Sequence, residues 1–247
     1  MTIDHRKKYI AVLDTETANG LEDSLVYDLG WAIIDKKGNV YCSRSYLISD
    51  IFCDERDLMQ TAYYAEKIPQ YLEDVKSGKR KIISFKYARQ IFIRDCKRFN
   101  CTTVCAHNAR FDLNALNTTQ RFLTGSKYRY FFPYGFEIWD TMKMAQDVMC
   151  KMPTYKRFCA EHDYLLKNGN PRKTAEILYR YITKNPDFVE NHTGLEDVLI
   201  EKEILVYCIK QKKPMRKCLF QKEFTGVKVP EPEDERINRY IIELWGA

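Results

Sequence analysis

The rhythm of apolar and polar positions changes several times along the chain, and each change predicts an element. Tyr9 to Leu13 is an unbroken apolar run that reads as a buried strand, and it ends in the acidic pair Asp14 and Glu16. Two β-rich segments follow, "SLVYDLGWAIID" and "VYCSRSYLIS", and the "KKGN" between them punctuates a hairpin. From Cys53 to Lys81 the chain mixes helical spacing with a break at Pro69 and a basic, glycine-containing loop from Lys76 to Lys81. The next stretch, "SFKYARQIFIRDCKRF", is an amphipathic helix. Phe85, Ala88, Ile91, Phe92 and Phe99 form its apolar stripe, and Lys86, Arg89, Arg94, Lys97 and Arg98 its charged face.

Beyond it, "TTVCAH" reads as a short buried strand and "NARFDLNALNTTQRFL" as a helix whose first turn lies at that strand's end. "FEIWDT" repeats the strand pattern, leading into helices over "MKMAQDVM" and "TYKRFCAEH", and "GLEDVLIEKEILVYCIKQ" is a late helix. Strands first, then strands alternating with helices, predict an α/β protein with a mixed sheet flanked by helices. "TAEILYRYI" carries an aromatic-aliphatic stripe at helical spacing, which fits packing better than base stacking. No repeat, low-complexity tract or Gly/Ser linker calls for a second domain.

Composition narrows this only a little. A chain of 247 residues, 45% of them hydrophobic, has enough material for one sizeable core with decorations. Forty basic against thirty-four acidic residues give a net charge of +6, a mild lean toward polyanionic partners. The basic stretches "KSGKRK", "KYARQIFIRDCKRF" and "KQKKPMRK" are either phosphate-tracking surfaces or ordinary solvated faces. Nine cysteines without a CxxC pair, behind an opening with no apolar leader, lead to the expectation of reduced thiols in a cytoplasmic protein. No apolar run is long enough to cross a bilayer.

The acidic residues change the picture more. Asp14 and Glu16 are two apart on an extended segment and so point the same way, and burying a carboxylate is costly without a cation or donors. They could jointly hold a hard divalent cation; alone, such a pair is more often a turn or helix-cap element. Asp112 sits one turn into the helix after "TTVCAH", where it could join a site or merely complement the helix dipole. His192 and Asp197 are separated by four residues around a helix start, with Gly194 permitting the tight entry. A histidine beside a carboxylate is a candidate base next to a metal ligand, and an exposed loop histidine followed by a capping acid is the plainer reading.

Taken in order, "DTET" (Asp14–Thr17), "HNARFD" (His107–Asp112) and "HTGLED" (His192–Asp197) resemble the three motifs of the DEDD exonuclease superfamily. The match is to its histidine-containing DEDDh, DnaQ-like branch, which includes the proofreading subunit of bacterial DNA polymerase III. "WDT" (Trp139–Thr141) is similar to a strand-end signature of that family, and the resemblance spans roughly Tyr9 to Gln211. It implies an RNase H-like fold and metal-dependent release of mononucleotides from a 3′ end.

The implied cofactor is a pair of Mg²⁺ or Mn²⁺ ions about 3.5–4 Å apart. Asp14 would bridge them, Glu16 and Asp197 would bind the ion that holds the attacking water, Asp112 would support the other, and His192 would take the water's proton. Thr17 and Ala18 would meet the terminal 3′-hydroxyl through their amides, with Asn108 and Phe111 near the second nucleotide. The expected substrate is DNA, single-stranded or frayed, in proofreading beside a polymerase. The alternatives are RNA ends or a non-catalytic nucleic-acid- or protein-binding module on the same fold. The expected domain covers residues 1–225, with insertions at about 50–81 and 165–190, and 226–247 form a tail suited to partner binding.

Overall fold

The computed structural model describes residues 3–4, 6–190 and 192–220, so the proposed tail lies outside the described residues. Its centre is a six-stranded mixed sheet. Strands β1 (Tyr9–Ala18), β2 (Leu25–Asp35) and β3 (Val40–Ile48) form an antiparallel meander, and β4 (Lys81–Ile83) adds in parallel to β3. On the other side β5 (Thr103–Ala106) pairs in parallel with β1, and β6 (Glu137–Asp140) with β5. The resulting order is β4-β3-β2-β1-β5-β6.

Between β3 and β4 lie the one-turn helices α1 (Ser49–Phe52) and α2 (Arg56–Met59), a 3-10 turn at Ala65–Lys67, and α3 (Ile68–Lys76). Then come α4 (Phe85–Arg98), α5 (Ala109–Thr124), α6 (Thr141–Val148), α7 (Pro153–Glu161), α8 (Ala175–Thr183) and α9 (Gly194–Lys210). Strand alternation sorts the cores. Tyr9, Ala11 and Leu13 pack with the 50–81 segment, α4 and α5, whereas Ile10 and Val12 pack with α6 to α9. With both faces covered, every position of β2 is buried.

The expected elements form, with instructive differences. β1 runs on past Leu13 to Ala18 because β2 keeps pairing with it, through Glu16 opposite Asp28 and, after an irregularity, Ala18 opposite Leu25. The acidic pair therefore lies within the strand. Pro69 does not break a helix. It sits in the first turn of α3, where its missing N–H has no partner to lose.

The stripe on α4 buries Phe85, Ala88, Ile91 and Phe92 as expected, behind an N-cap in which Ser84 accepts from the Tyr87 amide. The segment 50–81 is part of the wall of the core, contributing buried Ile51, Phe52, Met59 and Tyr71. On α8, Ile177 and Leu178 are buried in the α6–α9 core, so that stripe is packing. All nine cysteines are free, and among the described residues no helix is long and apolar enough to cross a membrane.

Candidate active site

The face of β1 that carries Ile10 and Val12 next presents Asp14 and Glu16, on the side covered by α9. From α9's first turn comes Asp197, and from the first turn of α5, just past β5, comes Asp112. Thr15, between the two acids of β1, donates from Oγ1 to Asp112 Oδ1 at 2.9 Å. Ligand-bearing atoms of Glu16, His192 and Asp197 lie within 4.8 Å of one another. Asp14 lies close enough to Glu201, Asp112, Asp197 and Glu16 to feel the charge of each. The five groups singled out in the sequence thus meet at one end of the sheet.

Two glycines make the convergence possible. A Cβ on Gly30, opposite Asp14 in the sheet, would lie 2.2 Å from the Gly194 carbonyl oxygen, and one on Gly194 would lie 2.9 Å from the Gly30 nitrogen. Gly194 is required by this close approach of α9 to β2. The left-handed backbone of this junction falls two residues earlier, at His192 with φ 47°. Asp28 on β2 fixes the junction by accepting from the Gly194 amide at 3.2 Å while pairing with buried Arg80. Arg80 belongs to the basic stretch "KSGKRK", so that part of the stretch serves the fold and not a phosphate.

The centre is strongly acidic and poor in donors. Burial first, then the charge of Glu201 and the other carboxylates, holds Asp14 well above the usual carboxylate range. Burial likewise pushes Glu16 up to about 9, with Asp197 and Asp28 adding to it. Asp197 rises to about 8 through burial and Glu190, and Asp112 to about 7 through burial. Asp14 Oδ2, Asp197 Oδ1 and Glu201 Oε2 are buried and accept no hydrogen bond from the described residues.

These orphaned oxygens test whether the residues fit the implied ions. An all-carboxylate set with one imidazole beside it suits a hard divalent cation, and a bound cation would supply the missing partner. The fit is good.

The surroundings of His192 come from the 50–81 segment. Tyr64 stacks on the imidazole, with ring centroids 4.3 Å apart and planes 14° from parallel, and the Tyr71 hydroxyl lies 3.5 Å from the His192 carbonyl oxygen. Glu190 Oε2 lies 3.9 Å from Nδ1. Lys67, with its ammonium 5.2 Å from the centre of the Tyr64 ring, acts electrostatically on Glu16, Asp197 and His192. Burial, then Lys67, moves the His192 pKa below its ordinary value.

The expected substrate contacts fall around this centre with mixed exposure. Thr17 is half-buried and Ala18 buried, both inside the β1–β2 pairing. Exposed Asn108 holds a left-handed conformation before α5 and donates its amide to Asp140 Oδ1 at 3.2 Å, and Phe111 is half-buried. The "WDT" signature is structural: Asp140 Oδ1 also accepts from the Met142 amide at 2.9 Å, capping α6.

Sequence reasoning passed over Glu201, Glu190, Tyr64 and the Asp28–Arg80 pair. Only Glu201 had a local signal, standing one helical turn after Asp197.

No protein-family model matches the sequence, and no curated protein matches it. Solved structures do. The crystal structure of a full-length 3′-exonuclease aligns with a TM-score of 0.59 at 14% identity, covering 91% of this chain and 92% of that one. Cell-death related nuclease 4 (CRN-4) gives 0.46 at 12%, covering 85% and 67%. E. coli Exonuclease I in complex with a dA16 oligonucleotide gives 0.45 at 14%, covering 84% and 42%. At such identities the likeness speaks for architecture, and on that ground the chain has the α/β, RNase H-like fold of the DEDD-type exonucleases.

Proposed function

We propose that the protein is a divalent-cation-dependent 3′→5′ exonuclease that removes nucleoside 5′-monophosphates from single-stranded or frayed DNA 3′ ends. The observation that carries this reading is the set of buried, unpartnered oxygens of Asp14 and Asp197 beside Glu16, Asp112 and His192, on a DEDD-type fold. The full-length 3′-exonuclease that aligns over nearly the whole chain supports the direction.

A pair of Mg²⁺ or Mn²⁺ ions, when bound, would supply charge neutralisation at the scissile phosphate. Asp14, Glu16, Asp112 and Asp197 would hold the ions. His192 accepts the proton of the attacking water at Nε2, because Nδ1 faces Glu190. Its lowered pKa keeps the imidazole neutral, and so basic, at pH 7. Tyr64 restricts rotation of the ring by stacking on it. Thr17, Ala18, Asn108 and Phe111 surround the terminal nucleotides. Editing beside a polymerase is the use that such an activity suits.

End-labelled single-stranded DNA, duplex DNA and RNA, incubated with Mg²⁺, Mn²⁺ or EDTA and resolved by length, test the proposal. A ladder shortening from the 3′ end of DNA, faster than on RNA and absent with EDTA, is expected. Internal cuts, or full activity in EDTA, overturn it; no hydrolysis under any condition favours the binding-module alternative.

A further inference from the structure

Glu201 is not needed by the four-carboxylate scheme, yet it is among the most deeply placed acids of the molecule, with 2% of its surface exposed. It stands one helical turn beyond Asp197 on α9, and so projects from the same face of that helix. Its Oε1 accepts from the His107 amide at 2.9 Å, tying α9 to the end of β5, where the second motif begins. Its Oε2 is buried and unpartnered among the described residues. Of all charged groups, Glu201 weighs most on Asp14, and Asp112 weighs most on Glu201.

A structural acceptor for one amide needs one oxygen and no charge. Glutamine would satisfy the His107 amide equally, without setting a carboxylate against three others in a water-poor interior. An ionisable group kept there with one oxygen bare is suited to a cation that meets that oxygen.

Resting on the nuclease reading above, we propose that Glu201 is a fifth carboxylate of the cation-binding set, with Oε2 directed at the cation that Asp14 also holds. Oε1 serves the fold and Oε2 the ion. The second motif is thereby coupled to metal binding, since the His107 amide and the cation share one side chain.

Calorimetric titration of the metal-free protein with Mn²⁺ tests this without reference to activity, using wild type, Glu201→Gln and Asp14→Asn. Glutamine keeps the Oε1 acceptor and removes the charge. Glu201→Gln is expected to weaken Mn²⁺ binding by about ten- to a hundredfold, the range seen when groups supporting a metal are lost. Unchanged Mn²⁺ affinity in Glu201→Gln, with binding impaired in Asp14→Asn, overturns the fifth-ligand proposal and leaves the nuclease reading intact. Absence of Mn²⁺ binding by wild type, or full binding by Asp14→Asn, defeats that underlying reading instead.

Should Glu201→Gln not fold, Glu201→Asp keeps the charge but shortens its reach. Weakened Mn²⁺ binding then supports the proposal and equal binding overturns it. Failure of both variants to fold in the presence of Mn²⁺ makes Glu201 a structural acceptor and overturns it too.

Discussion

Two sets of carboxylates packed around the same sheet are treated in opposite ways. Asp28, Asp35 and Asp95 are surrounded by donors. Asp28 has Arg80 and the Gly194 amide, and Asp95 has Arg44 and the Trp31 indole. Asp35 has the Asn39 and Lys37 amides and the Tyr41 hydroxyl. Although burial works to raise the Asp35 pKa, these hydrogen bonds hold it below the usual carboxylate range. Asp197 and Glu201 are about as deeply buried and Asp14 is half-buried, yet each keeps a bare, buried oxygen, and burial raises all three. A carboxylate used for architecture comes with its protein partners; one without them is kept for a partner from outside the chain.

Substitutions should separate the two sets. Asp14→Asn is expected to reduce hydrolysis by about 10³-fold or more, because the proposed mechanism rests several kcal/mol of charge stabilisation on ions that Asp14 would hold. The metal-free fold should lose no stability, since a repulsive charge is removed. A variant with near-normal rates would show that Asp14 belongs to the architectural set.

Asp28→Asn should do the reverse. It strips buried Arg80 of the closer of its two carboxylate partners, leaving only Asp74 at 3.5 Å, and should cost about 3 kcal/mol of folding stability, read by denaturant titration. A loss below about 1 kcal/mol would mean that the Arg80 pair does not anchor α9.

The pH dependence sharpens the contrast. With Asp112 at about 7, Asp197 at about 8 and Glu16 at about 9, the metal-free folded state binds more protons than the unfolded chain from the ordinary carboxylate range near pH 4 upward. Stability then falls as pH rises, so this contribution is full below about pH 4 and lost by about pH 9. Mg²⁺ offsets the loss, and the rise in Tm that it causes should grow between pH 5 and 9 in a thermal scan. A rise independent of pH would deny that these carboxylates meet the ion.

The smallest effect concerns Tyr64. Tyr64→Ala should lower kcat by about ten- to a hundredfold through a less well-oriented His192, with KM little changed, and Tyr64→Phe should be close to wild type because the stacked ring survives. Equal rates in all three would remove Tyr64 from the site.

What the sequence revealed follows from what is local. Apolar runs and stripes, such as Ile10–Leu13 and Phe85–Phe92, show which faces are buried, and the mixed sheet with flanking helices followed from their order. The motif order drew together Asp14, Asp112, His192 and Asp197 because each motif sits on its own strand or helix end. The Gly30–Gly194 approach, the Tyr64–His192 stack and the Asp28–Arg80 pair link residues far apart in the chain, and no periodicity encodes such contacts. Arg80 was misleading for the same reason, because a charge in a basic run looks solvated until its partner on another strand is known.

Anomalous diffraction from crystals soaked in Mn²⁺ tests the central claim most directly. The account predicts manganese within ligand distance of Asp14, Glu16 and Asp197, with a second ion toward Asp112. Manganese confined to surface carboxylates, with the Asp14 and Asp197 oxygens still bare, would contradict it.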